Sequence, residues 1–156
     1  MRSALRSIAA VVAGFIAASI VMMIIEMING RVLHPDLAKA AEAMTDRDTI
    51  RALLATAPVG AFLVVIAGWI LGGAAGGWVT ARLAAQATAR HGLVVGALLT
   101  LAGVANNLMI PPPLWFWIAS LVVLMPAAYL GARLAPASVV KRLTAAVAPS
   151  CGIRLH

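Results

Sequence analysis

The chain has 156 residues, of which 63% are hydrophobic and only 11% charged, with a formal net charge of +7. Soluble globular chains run at roughly 45–50% apolar and about 25% charged, so a water-soluble single core is excluded and lipid is the expected solvent. The basic excess does not indicate nucleic-acid binding, because it is spread over the ends of apolar segments rather than gathered in one patch.

A membrane-spanning helix needs about 20 mostly apolar residues. Four segments qualify: 7–28, 59–83, 92–110 and 114–134. The expected fold is therefore all-α: a four-transmembrane-helix domain over 1–135, with an outer loop at 29–58 and a tail at 136–156. The first span follows Arg2 and Arg6. Its apolar core is longer than the 7–15 residues of a signal-peptide core and no A-x-A cleavage site follows, so it reads as a retained signal anchor.

That first span ends in MMIIEMING, where Glu26 interrupts the apolar run. Counted from Ile8, Glu26 lies roughly 27 Å along the helix, near the outer edge of a hydrocarbon core about 30 Å thick. Three roles are open to it. It reaches outer water at the helix end, it pairs with an amide on another helix, or it handles protons or cations, as ionisable residues in membranes often do.

The outer loop carries Arg31, Lys39, Arg47 and Arg51 against Asp36, Glu42, Asp46 and Asp48. LHPDLAKAAEAM places Leu37, Ala40, Ala41 and Met44 on one helical face. Thr45-Asp46-Arg47-Asp48 resembles a capping box ahead of a second short helix through Ile50, Leu53 and Leu54. Two small amphipathic helices on the outer surface are expected here.

Span two contains Gly68, Gly72 and Gly76 at every fourth residue, with Gly73 and Gly77 one step round. Helices in lipid associate through close van der Waals contact, which small residues permit. The stripe therefore predicts a packed helix face, supplied by this chain or by a second copy. Trp69 stands about 18 Å in from Ala57, near the midplane, where its indole N–H needs a partner. Trp78 falls near the inner end of the same span.

Span three ends in Asn106 and Asn107, at a depth similar to that of Glu26. The three residues form an expected intramembrane polar cluster. Pro111–Pro113 then turn the chain into span four, opened by Trp115 and Trp117, with Tyr129 near its inner end. Trp78, Trp115, Trp117 and Tyr129 are thus interfacial aromatics, with ring bodies in lipid and polar edges wet. The tail segment SVVKRLTAAVA reads as an interfacial helix.

Arg2, Arg6, Arg82, Arg90, Arg133, Lys141, Arg142 and Arg154 fall on one side of this arrangement. Basic residues are retained on the cytoplasmic side, so both termini are expected inside. A weak internal repeat is also visible. AAGGWVTARLA (74–84) aligns with MPAAYLGARLA (125–135), and VVAGFIAASIVMMIIEMI (11–28) with LVVGALLTLAGVANNLMI (93–110). This predicts two tandem helical hairpins about an axis along the membrane normal.

Reactive chemistry finds little support. Cys151 is the single cysteine, with no Cys/His spacing for zinc. His34 and His91 belong at opposite membrane faces, so no transmembrane haem pair forms. No serine has a matching histidine and acid, and no phosphate-binding glycine loop follows a strand. No catalytic residues, metal or cofactor are expected.

NNLMIPPPLWFW (106–117), PAAYLGARLA (126–135) and GWILGGAAGG (68–77) resemble segments of a family of small, functionally uncharacterised, four-span bacterial inner-membrane proteins. The resemblance implies a fold and a location, not an activity. Small multidrug exporters share four spans and a first-helix glutamate, but this chain has a long charged outer loop and a glutamate far along its helix, so their mechanism is not carried over. The expected function is that of a non-enzymatic accessory or oligomer-forming subunit. It would sit in the bilayer as a homo-oligomer or within a larger membrane complex. The alternative is a small proton- or cation-linked carrier or channel using Glu26, Asn106 and Asn107.

Overall fold

The computed structural model describes residues 2–84 and 89–135. The expected tail helix, Lys141, Arg142, Cys151 and Arg154 lie outside the described residues. The helices are α1 (Arg2–Ile28), α2 (Pro35–Glu42), α3 (Arg47–Thr56), α4 (Val59–Leu83), α5 (Ala89–Met109) and α6 (Leu114–Leu134). Four of them are long and apolar enough to cross a membrane, and among the described residues there are no strands. This is the solution lipid requires, since a spanning helix satisfies its own backbone hydrogen bonds.

α4 is the hub. Its glycine stripe divides between two neighbours of the same chain, and all five glycines are buried. Gly68, Gly72 and Gly76 turn toward α1. A Cβ on Gly72 would lie 2.6 Å from Met22 Cγ and 2.9 Å from the Ala18 carbonyl oxygen. On Gly76 it would lie 2.7 Å from the Gly14 carbonyl oxygen. Gly73 and Gly77 turn toward α6, where a Cβ on Gly73 would sit 3.2 Å from Ala127 Cβ and one on Gly77 would collide with the Ala128 carbonyl. Close backbone approach on both faces strengthens the dispersion contacts on which helix association in lipid depends.

α5 packs on α6 by the same device, with Gly92 against Ala132 and Ala128 and Gly96 against Met125 and Ala128. Ala18, Trp69, Val95, Leu99 and Leu124 form the buried centre, with Val11, Phe15, Met22 and Val65 packed around it. α1 and α5 approach each other far less than either approaches its main partner. That gap becomes the groove described below.

One end of the bundle is tied by a polar contact between α1 and α4. Arg6 Nε donates to the Leu83 carbonyl at 3.2 Å, placing a cation where a helix C-terminus leaves carbonyls free and negative. Arg82 stands 4.8 Å over the Trp78 ring and Arg133 5.7 Å over Tyr129. In the connecting segment, Asp46 is the N-cap of α3. Its carboxylate accepts from the Asp48 and Thr49 amides, each at 3.1 Å, which satisfies two of the amides that a helix start leaves free.

The first spanning helix does not stop at Ile28. Residues Asn29–Leu33 continue it as a π-helical turn, closed by a bond from the His34 amide to the Asn29 carbonyl at 2.8 Å. Hydropathy alone missed this extension, because Asn-Gly-Arg reads as the start of a loop. The widened turn brings Asn29 to 8% exposure, where its Nδ2 donates to the Ala61 carbonyl of α4 at 3.0 Å. A buried amide that reaches a backbone acceptor across helices supplies a physical reason for the bulge.

Candidate functional site in the groove between the first and third spans

Because the helix runs on to Leu33, Glu26 lies about 10 Å before its C-terminal end at 1.5 Å per residue, rather than in the final turn. Ile25, its neighbour, packs at Gly68, which fixes the level of Glu26 against α4. From there its carboxylate turns to Trp69: Trp69 Nε1 donates to Glu26 Oε1 at 3.0 Å. The buried indole has the partner it requires, and that partner is the acid.

The side chain of Trp69 is only 5% exposed, while Glu26 remains exposed. One face of the carboxylate is thus held by a rigid donor and the other opens into the gap between α1 and α5. Two hollows have that carboxylate in their lining. The inner one, a groove of about 210 Å³, runs past Phe15, Ser19, Met22, Trp69, Leu99 and Gly103 to Glu26 and Asn106. The outer one, a chamber of about 290 Å³, is lined by Glu26, Asn29, His34, Phe62, Asn106, Asn107 and Phe116, with Leu37, Ala38 and Ala41 of α2 on one side. Glu26 and Asn106 belong to both. Glu26 is the one acidic residue lining either hollow, and no lysine or arginine lines them.

The asparagines play different parts. Asn106 is exposed and faces both hollows. Asn107 is 1% exposed and turns its amide to α6, where Nδ2 donates to Ser120 Oγ at 3.3 Å. The carboxylate's hydrogen bond is therefore to an indole, and neither asparagine amide clamps it. Asn107 Oδ1 is buried with no hydrogen-bond partner.

Sequence reading missed Asn29, His34 and Ser120 as members of this site. His34 Nδ1 lies 2.8 Å from Asn29 Oδ1. Since Asn29 Nδ2 is spent on Ala61, Oδ1 accepts, and His34 donates from Nδ1. In a neutral ring Nε2 is then the free acceptor. The one available signal was the Asn-Gly dipeptide three residues beyond Glu26, which reads as a turn. Ser120 carried no signal at all.

The aromatic residues sort by depth. Trp115 meets Phe62 edge-on at 5.5 Å and Phe116 at 6.0 Å, and Phe116 meets Trp69 at 6.1 Å. These rings form one wall from the outer rim to the buried indole, and edge-to-face pairs of this kind favour a fixed arrangement. Among the described residues no cluster of His, Cys, Asp and Glu could hold a metal ion.

Comparison with protein-family models, curated proteins and solved structures returns no match. The site must be interpreted from its own chemistry.

Proposed function

We propose that this chain is a non-enzymatic, multi-pass protein of the bacterial inner membrane that binds small cations with an apolar body, and that it works as a small proton- or cation-linked carrier. The observation that carries this reading is the Trp69–Glu26 hydrogen bond at the mouth of an otherwise uncharged groove. An intramembrane carboxylate is costly unless it is paired, neutralised or wet. Here one oxygen is fixed by the indole, and the open side favours a proton or an organic cation. Phe15, Met22 and Leu99 offer apolar surface to the rest of such a ligand. Either occupant neutralises the same carboxylate, which gives a physical basis for exchanging one against the other.

The glycine stripe favours this reading over an oligomer-forming subunit, because α1 and α6 of the same chain already cover it. The tandem-hairpin architecture is part of the proposal. The repeat alignment pairs Gly77 with Ala128, and these two meet at the α4–α6 contact, as equivalent residues close to a twofold axis do. It also pairs Trp78 and Arg82 with Tyr129 and Arg133, which make matching cation–π contacts. In the same alignment Glu26 corresponds to Leu108, so the acid is present in one hairpin alone. We further propose that the termini are cytoplasmic, that α2 and α3 are amphipathic helices on the outer surface, and that the chain belongs to the four-span family it resembles.

The test is flux in proteoliposomes. Wild-type protein should accelerate uptake of ethidium or tetraphenylphosphonium under an imposed pH gradient, and Glu26→Gln should not. Equal uptake by wild type, variant and protein-free vesicles would refute the carrier reading. A stoichiometric partner recovered by crosslinking from native membranes would then favour the accessory subunit.

A further inference from the structure

The groove explains why a cation is favoured, but not which kind. Asn107 Oδ1 answers that question. The orientation of this amide follows from its surroundings. Ser120 Oγ donates to the Trp117 carbonyl at 3.2 Å, so its proton is committed and its oxygen accepts from Asn107 Nδ2. Reversing the amide would face two acceptors at each other or break the Ser120–Trp117 bond. The oxygen is therefore the end left over. It is buried without a partner, in a residue that lines the outer chamber together with Glu26 and Asn106.

A buried carbonyl oxygen without a donor is destabilising, and such an atom in a native protein calls for an explanation. In a chamber that a carboxylate also lines, the simplest occupant supplies both properties at once: a cation bearing N–H groups. Resting on the carrier reading above, we infer that the ligand is a protonated primary or secondary amine with an apolar tail. Its ammonium lies in the outer chamber, donating to Asn107 Oδ1 and to the open oxygen of Glu26. The tail runs inward along the groove toward Phe15, which lies about 16 Å below Glu26 at 1.5 Å per residue. Quaternary ammonium and phosphonium ions carry the charge but no N–H, so they satisfy Glu26 and leave Asn107 unpaired. A site that hydrogen-bonds a ligand N–H binds an analogue that lacks it more weakly.

The experiment compares hexylamine with hexyltrimethylammonium by titration calorimetry, using the full chain in lipid nanodiscs and empty nanodiscs as background. Wild type should bind both, with the primary amine tighter by about tenfold or more, the range expected for a hydrogen bond from a charged donor. Asn107→Leu should lower affinity for hexylamine to that for the quaternary ion while leaving the latter unchanged. Binding of both cations by wild type with equal affinity would overturn the amine assignment and leave the carrier reading standing. A preference that survives Asn107→Leu would equally overturn the role of Asn107. If neither cation binds wild type, both proposals fail together. The wild-type comparison needs no variant, so it decides the matter even if Asn107→Leu does not fold.

Discussion

The Trp69–Glu26 hydrogen bond is the point at which the proposal is most exposed to measurement. Trp69→Phe removes the donor and part of the indole, which also lies close beside Gly103 of α5 and edge-on to Phe116. Glu26→Leu removes the acceptor and leaves the indole N–H, in a residue 5% exposed, without a partner. A stranded buried donor costs about 1–3 kcal/mol, so Glu26→Leu should destabilise although it makes the helix more apolar. Glu26→Gln keeps an oxygen that can accept from the indole and should cost less. Hydrogen bonds between helices in membranes average about 0.6 kcal/mol, with a maximum near 1.7. The charged acceptor raises the expected value and its exposure lowers it, so a coupling of about 1 kcal/mol is the figure to look for. A double-mutant cycle on Trp69→Phe and Glu26→Leu, measured by reversible unfolding in mixed micelles, isolates that coupling from lost packing. Costs that simply add would mean the bond contributes nothing. A Glu26→Leu variant as stable as wild type would show that the acid has no structural partner, and the geometry on which the groove reading depends would fall with it.

Gly72→Leu and Gly77→Leu should each destabilise by at least the roughly 1–3 kcal/mol typical of overpacking, through α1 and α6 respectively, whereas Leu71→Ile on the exposed face should leave thermal stability almost unchanged. Three indistinguishable melting curves would place the stripe against lipid. Arg6→Ala should loosen the joined ends of α1 and α4, seen as faster amide exchange near Leu83, while exchange near Trp69 stays as it was. For sidedness, Ala43→Cys and Arg90→Cys in a Cys151→Ser background should differ toward an impermeant thiol reagent on intact cells. Labelling at 43 alone is expected, and labelling at 90 alone would invert the proposed topology.

How much of this was legible beforehand depends on what kind of information a residue carries. The number of long apolar helices follows from composition, because a bilayer requires a minimum apolar length and every backbone group satisfied within it. The need of Trp69 for a partner was readable too, since an indole N–H near the midplane has no water to donate to. Its choice of Glu26 was not. That pair is 43 residues apart in sequence, and Asn106 and Asn107 stood at a similar depth as chemically reasonable rivals. Depth along a helix can be counted from the sequence, but the direction a side chain faces depends on which helix packs where. The same limit explains why five glycines read as one stripe serve two different neighbours, and why Asn107 bonds Ser120 rather than the carboxylate. It also hid the π turn, which exists because a buried Asn29 reaches the Ala61 carbonyl of another helix. Hydropathy reports how far a residue stands from water; only the packed bundle decides what it faces, because the close contacts that orient each helix are made between segments distant in the chain.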